Sequence, residues 1–424
     1  MDTLINNKKH LSEIEAYKQS KLDNDSDELK TFYGFNKKVI YCKKCLVSNQ
    51  RPTSTVEFKN KGLNKETIKF NNEQVCSACQ FQEIKDTKVN WEDREKELKD
   101  LCNRFRKKNK AYDCLVPASG GKDSIYTAHI LKTKYGMSPL TVTWSPHIYT
   151  DIGFKNLNGM INAGFDNLLL TPNGKLHRKL SQLAFLNLCH PFQPFIIGQK
   201  LIGPKLAKLY DIDLIFYGEN QAEYGNNIEE NDKPTMDSSF YIKKKDEPII
   251  IGNEPLDKIL MDGKFNPKSA EPYTPLEEQA YSNKLEMHYL SYYLKWDPQE
   301  NYYYAVENAN FIPNDMRTEG TFSRYSSIDD KMDPLHYYTT FIKFGIGRAT
   351  YEASFEIRTS KITREEGLLL VKKYEDEFPN RYFKEILEYM NITEDQFYKT
   401  IDNARSPHLW KYEDNAWKLR YTNK

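Results

Sequence analysis

Apolar positions in the middle of the chain follow two rhythms. Short, mostly apolar runs at 112–117, 139–144, 167–171 and 213–217 have the length of buried strands. Between them, 122–135 carries Ile125, Ala128 and Leu131 at helical spacing, and 195–210 is helical as well. Strand, helix, strand in alternation predicts an α/β fold with a parallel, doubly wound sheet and helices on both faces. Such sheets bind ligands at the carboxyl ends of their strands. Upstream, a charged stretch from Trp91 to Lys110 reads as a linker helix with Leu98, Leu101, Cys102 and Phe105 on one side. Downstream, 226–275 is polar and shows no legible period. The C-terminal third is aromatic-rich and ends in the helical segments 363–374 and 379–390. No internal repeat is visible.

The pattern divides the chain into an N-terminal arm (1–41), a cysteine-bearing module (42–90), an α/β domain (91–225) and a mostly helical C-terminal region (226–424) assigned to substrate binding. Its 424 residues suffice for two to three domains. Lys and Arg total 61 against 60 Asp and Glu, a poor footprint for a nucleic-acid binder. No apolar run approaches the roughly 18 residues of a membrane span, and the polar first 29 residues lack the apolar stretch of a secretory signal. The expectation is a cytoplasmic protein with neither membrane nor nucleic acid as partner. Seven cysteines then sit in a reducing compartment, where close pairs favour metal over disulfide.

Ser119-Gly120-Gly121-Lys122-Asp123-Ser124 falls between a predicted strand and a predicted helix. Two glycines let the backbone turn tightly and bring N–H groups up to an anion. The helix that follows offers unpaired N–H donors and the positive end of its dipole. Ser119 and Ser124 add hydroxyls and Lys122 a charge. A Walker loop is excluded, because Val116 and Asp123 stand where it needs Gly and Ser or Thr.

Cys42-x-x-Cys45 and Cys76-x-x-Cys79 are two knuckles separated by 30 residues. Four thiolates in two close pairs suit tetrahedral zinc. The long spacer costs little, since loop closure grows slowly with length. An iron–sulfur site or reduced buried thiols are the alternatives. Cys102, Cys114 and Cys189 read as small buried hydrophobes.

The loop resembles the Ser-Gly-Gly-X-Asp-Ser motif of the N-type ATP pyrophosphatases, the PP-loop superfamily with its adenine nucleotide alpha hydrolase-like fold. That resemblance implies cleavage of ATP to AMP and pyrophosphate, with Ser119, Gly120, Gly121, Asp123 and Ser124 on the pyrophosphate and Lys122 at the motif's variable position. The span from Cys42 to Trp410 further resembles the N-acetyl sugar amidotransferase family. The matching stretches are the two knuckles, the loop, Thr143-Trp144-Ser145-Pro146-His147, Gly164-Phe165-Asp166, 191–196, 217–225, 317–322, 325–331, 343–348 and 363–367. The resemblance implies an ATP-dependent, AMP-forming ligase that converts an N-acetyl sugar, free or nucleotide-linked, to an acetamidino sugar for lipopolysaccharide or flagellin glycans, including pseudaminic-acid-type sugars. Zinc, ATP and Mg²⁺ are the implied cofactors. A separate glutaminase subunit is the implied ammonia source, since no Gly-x-Cys-x-Gly elbow is present in the chain. The resemblance is weakest between the knuckles and over 226–275, where substrate contacts are easily missed.

Residues at the ends of strands two and four should face the same crevice as the loop. The expected contacts for the nucleotide there are Trp144 and Gly218. Ser119, Lys122, Asp123, Glu219 and Glu223 form the expected catalytic set, in which Glu219 and Glu223 could bind Mg²⁺, grip sugar hydroxyls or relay a proton, or be ordinary structural charge. Asp329-Asp330-Lys331 is on residue type alone a solvated turn or helix cap, and by the resemblance a contact to substrate or metal. Lys343 and Arg348 are available to a phosphate, and His147 and His190 to acid–base work. The rival readings are a tRNA-thiolating PP-loop enzyme, disfavoured by neutral charge and the lack of any cysteine after Cys189, and a catalytically silent zinc scaffold.

Overall fold

The computed structural model describes residues 29–62, 64–106, 109–278 and 284–423. Most of the N-terminal arm read from the sequence therefore lies outside the described residues. The centre is a five-stranded sheet, β1 (Cys114–Pro117), β2 (Pro139–Trp144), β3 (Asn167–Leu170), β4 (Leu214–Tyr217) and β5 (Glu286–Tyr289). Its order is β3-β2-β1-β4-β5 and every pair is parallel. The fold is mixed α/β, as expected, but the sheet extends beyond residue 225. β5 comes from a stretch the sequence left unread, and it pairs with β4 from Leu214↔Glu286 to Tyr217↔Tyr289.

Alternation along the strands builds two cores, because successive side chains point to opposite faces. Cys114, Val116, Leu214 and Phe216 join one apolar cluster, and Leu115, Leu140, Val142 and Ile215 join the other. The first face is covered by α2 (Trp91–Phe105), α3 (Lys122–Thr133), α4 (Asp151–Asn162) and α7 (Pro298–Asn308). The opposite face receives α5 (Gly174–Leu188) and α6 (Gln193–Leu209), with α1 (Ser77–Thr87) outside the sheet. The linker helix does bury Leu98, Leu101, Cys102 and Phe105, ending at residue 105. Helices α4 and α5 had no clear signal: both open on side-chain caps, Thr150 accepting from Gly153 N and Asn173 from Lys175 and Leu176 N.

The C-terminal region packs α8 (Asp333–Phe344), α9 (Arg348–Arg358), α10 (Arg364–Tyr374), α11 (Phe383–Met390) and α12 (Glu394–Ala404). A hairpin of β6 (Trp410–Glu413) and β7 (Ala416–Leu419) closes it. Phe185 of α5 lies in the same apolar cluster as Leu335, Ile386 and Phe397, which fixes this region against the sheet domain. Among the described residues no helix is long and apolar enough to cross a membrane.

Candidate functional site

Strand order reverses between β1 and β4, and the loops leaving their carboxyl ends bound a crevice there, the position where open parallel sheets take ligands. The 119–124 loop leaves β1 and enters α3, whose N-cap is Gly121. Gly120 has φ +91°, and a Cβ on it would stand 2.6 Å from Leu157 N and 2.8 Å from Asn156 C. Only glycine permits this close seat of the loop on the α4 backbone. Ser124 Oγ donates to Gly121 O at 2.9 Å and so closes the turn.

A cleft of about 320 Å³ opens over the loop, lined by Ser119, Gly121, Lys122, Asp123 and Ser124 on one side and Gly218 and Glu219 on the other. Lys122 is buried and pairs with the neighbouring Asp123 carboxylate. The second Asp123 oxygen accepts from Asn301 Nδ2 at 3.0 Å, which aims the carboxylate. Glu219 accepts from Tyr224 Oη at 2.9 Å. Burial pushes the Glu219 carboxyl above the usual range, and the Asp123 charge adds to the shift. Two carboxylates lining one cleft are a donor set suited to a hard cation. Lys200, Arg348 and the Tyr325-Ser326-Ser327 stretch also line it, and burial holds the Lys200 ammonium below the usual lysine range, opposed by Glu219.

Lys200 and Asn301 carried no sequence signal, whereas Asp329 belongs to the charge cluster singled out above. Lys200 arrives from α6 and Asn301 from α7. Asp329 comes from the loop before α8, where burial and then the Asp330 charge push its carboxyl up to about 6, against a hydrogen bond with Ser119. Of the readings of the Asp329-Asp330-Lys331 cluster, the solvated turn fails for Asp330, which is buried and accepts from Met332 N at the start of α8, as a helix cap does. Asp330 is structural: it accepts from His147 N and His147 Nδ1, both at 2.7 Å, and from Ile148 N and Met332 N. It thereby pins the strand-two loop. His147 is spent on this bond, with its ring among Phe192, Phe195 and His177.

Two expected site residues are placed elsewhere. The Trp144 indole lies in the core against α6, where a Cβ on Gly198 would meet it at 2.1 Å. Its strand period directs it to the sheet face rather than the strand end. Glu223 pairs with Lys85 of α1 at 2.6 Å, both side chains 2% exposed. Lys343 donates to Leu188 O at 2.8 Å, and His190 faces Glu57 at 3.4 Å, so neither lines the cleft.

The four knuckle cysteines converge, and their sulfurs lie within 4.8 Å of one another, all buried. Cys42–Cys79 is 3.8 Å and Cys45–Cys76 is 3.6 Å. Tetrahedral zinc with Zn–S near 2.3 Å puts sulfurs about 3.8 Å apart. Backbone N–H groups of Cys45 and Cys76 donate to Cys42 Sγ, as a thiolate requires. The cluster fits a structural metal such as zinc. Its module grips the loop after β4: Ser77 Oγ donates to Gly225 O at 2.7 Å, beside the Lys85–Glu223 pair.

Residues 319–423 match the family model of the LPS biosynthesis protein WbpG-like C-terminal domain. The match supports a lipopolysaccharide-biosynthesis family, and a biosynthetic family of this kind suggests an enzyme. It includes Tyr325, Ser326, Ser327 and Arg348, which line the crevice, and Asp329, whose carboxyl bonds with Ser119. The chain is also 30% identical over 78 residues to an uncharacterized protein of Methanocaldococcus jannaschii, a stretch that is 18% of this chain and 27% of that protein. The chain thus spans about a quarter of that relative's length.

Proposed function

We propose that this chain is an ATP-dependent amidotransferase of the PP-loop type that converts the acetamido group of a sugar to an acetamidino group, releasing AMP and pyrophosphate. The observation that carries the reading is the Ser119–Ser124 loop at the switch point of a parallel sheet, faced by Glu219, Lys200 and Arg348. The match to a lipopolysaccharide-biosynthesis domain supports a sugar substrate.

An amide carbonyl is a poor electrophile and its oxygen a poor leaving group. Attack of that oxygen on the α-phosphorus of ATP forms the O–P bond, breaks the bond to pyrophosphate, and leaves an O-adenylated imidate once the amide N–H proton departs. Ammonia adds to the imidate carbon, and AMP leaves with the C–O electron pair. Lys122, Arg348, the Ser119 and Ser124 hydroxyls and the N–H groups at the start of α3 stabilise the charge that grows on pyrophosphate. The proton released from nitrogen passes to water. Asp123 and Glu219 would hold Mg²⁺, which would supply neutralising charge on the phosphates when bound. Ammonia must arrive unprotonated, so a separate glutaminase subunit is the proposed donor.

The buried, unpaired-in-sequence cysteines favour this reading over tRNA thiolation. Burial pushes Cys102 up to about 12 and Cys189 up to about 11, the opposite of what a sulfur carrier requires. The decisive test is isotopic. Substrate carrying heavy oxygen in its acetyl carbonyl should deliver that oxygen to AMP. Label found in inorganic phosphate, with ADP as the other product, refutes the adenylation route.

A further inference from the structure

The turn that follows β4 carries one hydrogen bond into the crevice. Asn220 caps the turn, its Oδ1 accepting from Ala222 N at 3.0 Å and Glu223 N at 3.3 Å. Gly225 ends it at φ +98°, with its N donating to Ala222 O at 3.1 Å. Tyr224 sits between them, and its Oη donates to Glu219 Oε1 at 2.9 Å. Glu219 lines the phosphate cleft. Tyr224 lines two adjoining cavities. One, of about 270 Å³, shares Lys200 and Glu219 with the cleft, and the other, of about 70 Å³, shares Lys122, Asp123 and Arg348 with it. The tyrosine thus borders the crevice next to both carboxylates.

The turn is held from outside by the cysteine module and by α9. Ser77, which follows Cys76, donates from Oγ to Gly225 O at 2.7 Å. A Cβ on Gly225 would stand 2.4 Å from Ile68 Cδ1, so the positive φ and this contact both call for glycine. The Arg51 guanidinium lies 5.7 Å from the centre of the Tyr224 ring, and Arg358 Nη2 donates to Glu223 O at 3.2 Å. Inside the crevice the Glu219 carboxylate feels opposing charges. Asp123 repels it, while Lys122 and Lys200 attract it. A donor fixed on a braced turn decides its direction among these pulls.

We propose that Tyr224 is the positioning residue for Glu219, aiming its carboxylate at the cation that Asp123 and Glu219 would share, and that the cysteine module acts on the crevice through this turn. Both links rest on the ATP-and-cation reading of the crevice. They give the module, none of whose cysteines lines the cleft, a share in the binding of metal-bound nucleotide that a purely stabilising module lacks.

The test uses the full zinc-loaded chain and titration calorimetry with α,β-methylene-ATP, with and without Mn²⁺. The wild type should bind the Mn²⁺ form at least about tenfold more tightly than the metal-free form. Tyr224→Phe keeps the ring and removes the donor. It should weaken the Mn²⁺ form about tenfold, the scale of a hydrogen bond to a charged group, and leave the metal-free form within about twofold. Glu219→Ala should lose at least as much, and Tyr224→Phe added to it should cost nothing further, because no carboxylate remains to be aimed. Ser77→Ala, remote from the crevice, should weaken the Mn²⁺ form about threefold. Equal Mn²⁺-form affinity in Tyr224→Phe and the wild type overturns the assignment. So does a loss equal for both forms, the mark of a merely structural residue, and so does a loss that persists in the Glu219→Ala background. Unchanged affinity in Ser77→Ala overturns the module's share. A wild type that binds the analogue equally with and without Mn²⁺ overturns the positioning role and leaves the ATP reading standing, and one that binds neither form overturns both.

Discussion

Removing Lys85 should unfold the protein far more readily than removing both members of its pair. The Lys85 ammonium and the Glu223 carboxylate are 2.6 Å apart with side chains 2% exposed, and Glu223 Oε1 has no other partner among the described residues. Burial already pushes Glu223 above the usual carboxylate range, with Lys85 the main opposing influence. Lys85→Met therefore leaves a buried acid uncompensated, and breaking such a pair costs about 3–5 kcal/mol. That lowers the folded-to-unfolded ratio by roughly two to nearly four orders of magnitude, at about 1.4 kcal/mol per tenfold. Lys85→Met with Glu223→Leu replaces the pair by apolar side chains of similar volume and should recover most or all of the loss. Urea denaturation of the wild type, both single variants and the double variant gives the cycle, and AMP formation from ATP and acceptor gives the activity of each. If Glu223 only ties α1 to the loop after β4, the double variant is stable and active. A double variant that is stable but inert, or Glu223→Gln that loses turnover at unchanged stability, refutes this reasoning and returns Glu223 to the chemistry.

The knuckle cluster should hold one zinc per chain, and Cys76→Ser should remove it and destabilise the fold, because structural zinc contributes on the order of 10 kcal/mol of apparent folding energy. Metal analysis that finds iron, or a Cys76→Ser chain as stable as the wild type, contradicts the assignment. Asp329→Asn should change stability in a pH-dependent way. The Asp329 carboxyl is pushed up to about 6 in the folded chain, from an ordinary 3.8. The folded state therefore binds the proton more tightly, so stability is full below about pH 4 and is lost as pH rises through 6. The variant lacks that loss and should have a higher unfolding midpoint than the wild type at pH 8, with the two converging near pH 4. A difference that is the same at both values contradicts the proton linkage.

Local pattern carried much of this architecture. The apolar runs at β1, β2 and β4 are continuous because both sheet faces are covered there, and such runs are visible without tertiary context. The 119–124 loop was legible because its chemistry is contiguous: glycines, hydroxyls and a helix start in six residues. The knuckles were legible for the same reason, as each pair spans one turn. Strand β5 was not, since Glu286-Met287-His288-Tyr289 holds two polar residues that are accommodated only at the sheet edge, where His288 meets Glu286 and Tyr293. Trp144 and Glu223 were placed by motif proximity, and side-chain direction overruled it: the strand period turns one into the core, and a lysine 138 residues away claims the other.

The amino-acid order by itself thus determined which backbone segments can bind an anion and which thiols can share a metal, because those properties reside in a few consecutive residues. Tertiary structure alone decided which distant groups complete the crevice. Lys200 and Arg348 line one cleft from two separate elements, and Asn301 and Asp329 reach its Asp123 and Ser119 from two more. Burial and encounter between remote side chains depend on packing, and no local pattern encodes them.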